Sequence, residues 1–87
     1  MVSRKITVCN PTGLHARPAA ILSKEASACC SDVKIIYGNK TIQAKSVLNI
    51  MAAAIKCGTE IELQCEGITE AEDLKKLSEL IESGLGE

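Results

Sequence analysis

Glu60-Ile61-Glu62-Leu63-Gln64-Cys65-Glu66 alternates without a break. Ile61, Leu63 and Cys65 fall on one side, and three glutamates and a glutamine fall on the other. A period of two over seven residues predicts a strand with one face buried and one in water. That pattern belongs to antiparallel sheets covered on one side only, because strands of parallel sheets are buried on both faces. The rest of the chain is read outward from this strand.

On the C-terminal side, Ala71, Leu74, Leu77, Leu80 and Ile81 form the apolar stripe of a long helix, with Gly84 as its stop. Thr69-Glu70-Ala71-Glu72 offers a capping box, and its acids suit the helix dipole. On the N-terminal side, Val33 to Tyr37 and Thr41 to Ala44 flank Gly38-Asn39, a turn pair that predicts a hairpin. Ser46 is placed to cap a short helix running to about Ala53. Val2 to Cys9 alternates as a strand broken mainly by Arg4. From Ala16 to about Ser27, Ala19, Leu22 and Ala26 take helical spacing toward the core, with Ala20, Ile21 and Lys24 on the other side. The order strand, helix, hairpin, helix, strand, helix predicts an α+β fold in which helices cover one face of an antiparallel sheet.

The 87 residues suit one domain, 1–87, with a single modest core. The apolar share is 46% with Tyr37 as the only aromatic, which leaves no platform for stacking bases. A net charge of −1 argues against nucleic acid as a general partner. Eight of the ten basic residues precede residue 60, and most of the acids follow it. Basic residues gathered in space would steer acidic partners, whereas scattered ones would be solvated lysines. The five cysteines are odd in number and contain no Cys-x-x-Cys, so neither a disulfide framework nor a zinc ribbon is indicated; a metal or redox role is not expected, and Cys29-Cys30 would be the more reactive pair. No apolar run reaches 18 residues and no signal-peptide core is present, which points to the cytoplasm.

The candidate chemistry lies in Pro11-Thr12-Gly13-Leu14-His15-Ala16-Arg17-Pro18-Ala19-Ala20. His15 is the only histidine and stands where a helix begins. The first amides of a helix lack internal partners and favour an anion. Pro18 fits the first turn and donates nothing, so Ala16 and Arg17 supply the free backbone donors. Arg17 adds a permanently charged fork that matches phosphate oxygens. An imidazole is largely neutral near pH 7 and is a competent phosphoryl acceptor. A surface or capping histidine is the plainer alternative.

Gly-Leu-His-Ala-Arg-Pro-Ala-Ala resembles the active-site signature of HPr, the histidine-containing phosphocarrier of the phosphoenolpyruvate-dependent sugar phosphotransferase system. Lys45-Ser46-Val47-Leu48-Asn49-Ile50-Met51 resembles that family's second signature, and Ser83-Gly84-Leu85-Gly86-Glu87 its ending. The resemblance implies an open-faced β-sandwich of four antiparallel strands and three helices. It implies a carrier rather than an enzyme, with no cofactor and no metal, acting as a monomer without membrane insertion. His15 would take a phosphoryl group at Nδ1 from enzyme I and pass it to IIA domains of sugar permeases, with Arg17 holding the oxygens in transit. Ser46 would be the target of HPr kinase/phosphorylase, and the seryl-phosphorylated form would serve a catabolite-control transcription factor. Ser46 as a plain helix cap is the structural alternative. Thr12, Ala20, Ile21, Lys24, Lys45, Val47, Leu48 and Met51 would form the partner surface, although Leu48 and Met51 would also serve as core. A regulatory paralogue and a nitrogen-branch phosphocarrier, both acting without sugar transport, are the rival readings.

Overall fold

The computed structural model describes residues 1–11 and 13–85. Four strands and three helices follow in the order β1 (Val2–Thr7), α1 (Ala16–Ser27), β2 (Asp32–Tyr37), β3 (Lys40–Gln43), α2 (Val47–Ala52), β4 (Glu60–Glu66) and α3 (Glu70–Glu82). The strands lie in the order β1-β4-β2-β3, with every neighbouring pair antiparallel. The last strand is therefore inserted between the first two, a split βαβ arrangement.

Register explains which residues are buried. Val33 and Val2 both lie opposite Cys65, Ile35 and Arg4 opposite Leu63, and Ile6 opposite Ile61, so these residues share the helix-covered face. Ile61, Leu63 and Cys65 are buried while Glu60 and Glu66 are exposed, as the alternation predicted. Arg4 breaks the apolar row and is tolerated because it sits at the edge, where its guanidinium meets the Glu82 carboxylate at the end of α3 (3.2 Å). Leu22 of α1, Ile50 of α2 and Leu77 and Ile81 of α3 close the core over the sheet.

The hairpin forms at the expected turn, and the start of α3 differs from the sequence reading. In the Gly38-Asn39 turn only Gly38 takes positive φ (+61°), the pattern of a type II′ connection. The capping box at the start of α3 does not form. Thr69 makes no side-chain cap, and its hydroxyl instead donates to Asp73 (2.7 Å). The inward stripe of α3 accordingly contains Asp73, Leu77, Ser78 and Ile81, with Leu74 and Leu80 half-buried and Ala71 exposed. The stop holds: Gly84 has φ +92° and donates to the Ile81 carbonyl (3.1 Å).

Asp73 fastens the chain at this end of the sheet. One carboxylate oxygen accepts from the Ser31 amide (3.2 Å), the Ser31 hydroxyl (2.5 Å) and the Thr69 hydroxyl, which ties the turn before β2 to the start of α3. These donors favour the charged form, so the Asp73 pKa is lowered, chiefly by the Ser31 hydroxyl. Close by, burial first and the Asp73 charge second raise the Cys29 pKa and push Cys65 up to about 11. Both buried thiols stay protonated at neutral pH, so Cys29 is not a reactive site; Cys30 next to it is exposed.

Because its folded pKa lies below the unfolded value of about 3.9, Asp73 contributes stability at pH 5 and above that is lost as the pH falls through that value and below. Asp73→Ala, which leaves the Ser31 donors unanswered, is expected to cost about 2 kcal/mol at pH 7 and less at pH 3. Urea unfolding at the two pH values measures both.

Candidate functional site

The site begins with a loop closed on itself. Buried Asn10 donates its side-chain amide to the Gly13 carbonyl, and the Gly13 amide donates to the Asn10 carbonyl (2.9 Å). Val8 then extends the β1–β4 pairing past its formal end, donating to Thr59 (2.9 Å) and accepting from Gly58 (2.7 Å). Two residues of one strand against one of the other make a bulge, which turns the segment 55–58 beneath the loop.

Gly13 is required by that approach. Its φ is +67°, and a β-carbon there would lie 2.3 Å from the Ile55 carbonyl oxygen and 2.8 Å from Lys56 Cα. The next amide, Leu14, donates to the same Ile55 carbonyl (2.9 Å), and the Leu14 side chain is buried. The loop is thus anchored on both sides of the turn immediately before His15.

His15 is the N-cap residue of α1, with extended backbone (φ −93°, ψ −162°) and no capping bond from its side chain. Its carbonyl accepts from Ala19 (2.8 Å), its side chain is exposed, and Pro18 is buried in the first turn. The amides of Ala16 and Arg17 therefore remain at the helix mouth beside the imidazole, without intrahelical acceptors. His15 also borders a groove of about 240 Å³ lined by Leu14, Met51, Ala54, Ile55 and Lys56. Ala54 holds φ +53°, a left-handed conformation that is unusual without glycine.

Arg17 is exposed, and no carboxylate among the described residues pairs with it or with Lys56. In the sequence Lys56 counted only among the basic residues that could gather in space, not as a site residue. Its nearness to His15 arises from the bulge and the Gly13 approach, neither of which has a periodic signature. Among the described residues no group of three His, Cys, Asp or Glu is placed to hold a metal ion.

The second motif borders the same region. Ser46 caps α2, its hydroxyl accepting from the Asn49 amide (3.3 Å). The Ser23 hydroxyl donates to the Lys45 carbonyl (2.8 Å), which seats the Lys45 backbone against α1. Of the expected partner surface, Ala20, Lys24, Lys45 and Leu48 are exposed, Leu48 at 79%. Met51 is half-buried and packed against the core, so it combines both expected roles, whereas Leu48 is not core; Ile21, expected on the outer side of α1, and Val47 are also half-buried because they pack against the core. Thr12 lies outside the described residues. Lys40 lies on β3 and Lys34 on β2, away from α1, so the basic residues are gathered only in part.

Comparisons with known proteins identify the family. The family model described as the PTS HPr component phosphorylation site matches residues 2–83. The phosphocarrier protein HPr of Mycoplasma capricolum subsp. capricolum is 50% identical over 60 residues, 69% of this chain and 67% of that protein. The HPr-like protein Crh of Bacillus subtilis is 40% identical over 82 residues, 94% of this chain and 96% of that one. The crystal structure of HPr-C-His from Thermoanaerobacter tengcongensis superposes with a TM-score of 0.95 at 41% identity, covering 100% of this chain and 98% of that one. A crystal structure of an HPr dimer from the same organism matches at 0.79, with 41% identity over all of both chains. The fold is the open-faced α+β sandwich of HPr structures, and the chain belongs to the HPr family of phosphocarriers.

Gly13→Ala must move the Ile55–Lys56 backbone and also hold alanine at positive φ. We expect a loss of about 2 to 4 kcal/mol, read as a lower midpoint of urea unfolding. Ser46→Ala removes only the cap and is expected to cost about 1 kcal/mol in the same measurement.

Proposed function

We propose that this chain, as one unit spanning 1–87, carries phosphoryl groups in sugar uptake in the cytoplasm. His15 accepts from phosphorylated enzyme I, which is charged by phosphoenolpyruvate, and donates to IIA domains of sugar permeases. The observation that carries this reading is the exposed imidazole at the helix mouth, with no capping bond of its own, over a groove and beside two first-turn amides.

In each transfer an imidazole nitrogen forms a bond to phosphorus as the bond to the donor breaks, and the reverse step hands the group on. The amides of Ala16 and Arg17 and the Arg17 guanidinium stabilise the charge on the phosphoryl oxygens. His15 is the only histidine, and no acidic side chain occurs from Asn10 to Lys24 to activate a water. A carrier of this kind holds its cargo until a partner arrives. Among the described residues no helix is long and apolar enough to cross a membrane.

Ser46 supplies regulation in this proposal. Phosphorylation by HPr kinase/phosphorylase adds a charge of about −1.5 to −2 at the start of α2, beside half-buried Val47 and exposed Leu48. An acidic partner docking there is repelled, and the phosphorylated surface becomes available to a catabolite-control transcription factor. A second reading, a regulatory paralogue acting through Ser46 alone, is favoured by the 40% identity to Crh over nearly the whole chain.

Incubation with enzyme I, phosphoenolpyruvate and magnesium, followed by intact mass and phosphorus NMR, separates the two. The carrier reading expects one acid-labile phosphate that His15→Ala abolishes. A folded protein that takes no phosphate from active enzyme I, yet one acid-stable phosphate at Ser46 from kinase and ATP, establishes the regulatory reading. Arg17→Ala is expected to slow the transfer at least tenfold with the unfolding midpoint unchanged.

A further inference from the structure

Lys56 borders the same groove as His15, from the segment that precedes β4. Its backbone is fixed from two directions. Gly13 packs against its Cα so closely that a β-carbon would not fit, and its carbonyl accepts from the Thr59 amide (3.2 Å). The residue that precedes it, Ile55, is held by the Leu14 amide one position before His15. Lys56 is exposed, borders the same 240 Å³ groove as His15, and has no carboxylate partner among the described residues. The remaining lining residues, Leu14, Met51, Ala54 and Ile55, are apolar. A doubly charged anion on His15 therefore meets the helix amides and Arg17 on one side and, on the groove side, a single cationic side chain.

We infer that Lys56 is a second phosphoryl-binding side chain, whose ammonium holds an oxygen of the group carried on His15 from the groove side. This inference rests on His15 being the acceptor. An ammonium on a flexible stem acts as a point charge rather than a fork. It can follow the group as donor and acceptor exchange, while Arg17 fixes orientation. Lys56 lies on neither α1 nor α2, although Met51 of the partner surface borders the same groove.

A small donor without a protein surface isolates this role from docking. Phosphoramidate transfers its phosphoryl group to an imidazole nitrogen: the nitrogen–phosphorus bond to His15 forms as that to the leaving ammonia breaks. The rate of phosphohistidine formation is followed by phosphorus NMR for the wild type, Lys56→Gln, Lys56→Arg and Lys75→Gln, the last removing an equal charge on α3, outside the groove. We expect Lys56→Gln to be about tenfold slower, Lys56→Arg to recover most of the rate, and Lys75→Gln to match the wild type, with all four unfolding at the same urea concentration. Equal rates for Lys56→Gln and wild type overturn the inference. Equal slowing in Lys56→Gln and Lys75→Gln also overturns it, by reducing the effect to net charge. Failure of the acceptor reading is seen separately, as a wild type that gains no more phosphate than His15→Ala.

Discussion

The Leu14 amide donates to the Ile55 carbonyl, and Gly13 lies against Ile55 and Lys56 with no room for a side chain. This close approach of two backbones makes the site. It joins the loop that follows β1 to the segment that precedes β4, so the two strands that neighbour each other in the sheet also share a fixed margin beyond it. His15 can cap α1 without a side-chain bond because the backbone before it is already held. A larger residue at position 13 would separate loop and segment, and the groove between them would no longer have a defined shape.

Asp73 performs the matching task near the other end of β4. Its three acceptor bonds fasten the α1–β2 turn to the first turn of α3, where Glu70 and Glu72 also complement the helix dipole. A buried carboxylate is costly unless its donors are complete, and here they come from a hydroxyl and an amide of one residue and a hydroxyl of another. The same charge, together with burial, keeps the two buried thiols protonated. A core of aliphatic residues thus combines apolar packing with a buried polar anchor at this end of the sheet.

The site is a surface of unpaired donors and cations on a rigid frame. Charged groups of opposite sign pair elsewhere, as Arg4 does with Glu82 and Lys76 with Glu25. Around His15, Arg17 and Lys56 remain without a carboxylate among the described residues, and the helix amides have no internal acceptors. Such groups gain most from an anion that arrives and leaves, because no internal partner must be displaced first. The half-buried Ile21, Val47 and Met51 add apolar area next to the exposed Leu48, so a docking protein meets a patch whose foundations are part of the core.

The amino-acid sequence by itself determined whatever depends on near neighbours. The alternation from Glu60 to Glu66, the helical stripe of Ala19, Leu22 and Ala26, the Gly38 turn and the Ser46 cap are all local patterns, and each appears at its place. The histidine before a proline-bearing helix start was legible for the same reason. The tertiary structure alone decided which strands pair, that Arg4 could share the covered face, and that Asp73 would accept from a distant serine while Thr69 donates to Asp73 instead of forming a capping box. It also decided that Lys56 would stand beside His15, 41 residues away in the chain. Periodicity reports which side of an element is buried but carries no information about what it meets, since that depends on close approaches between segments far apart in sequence.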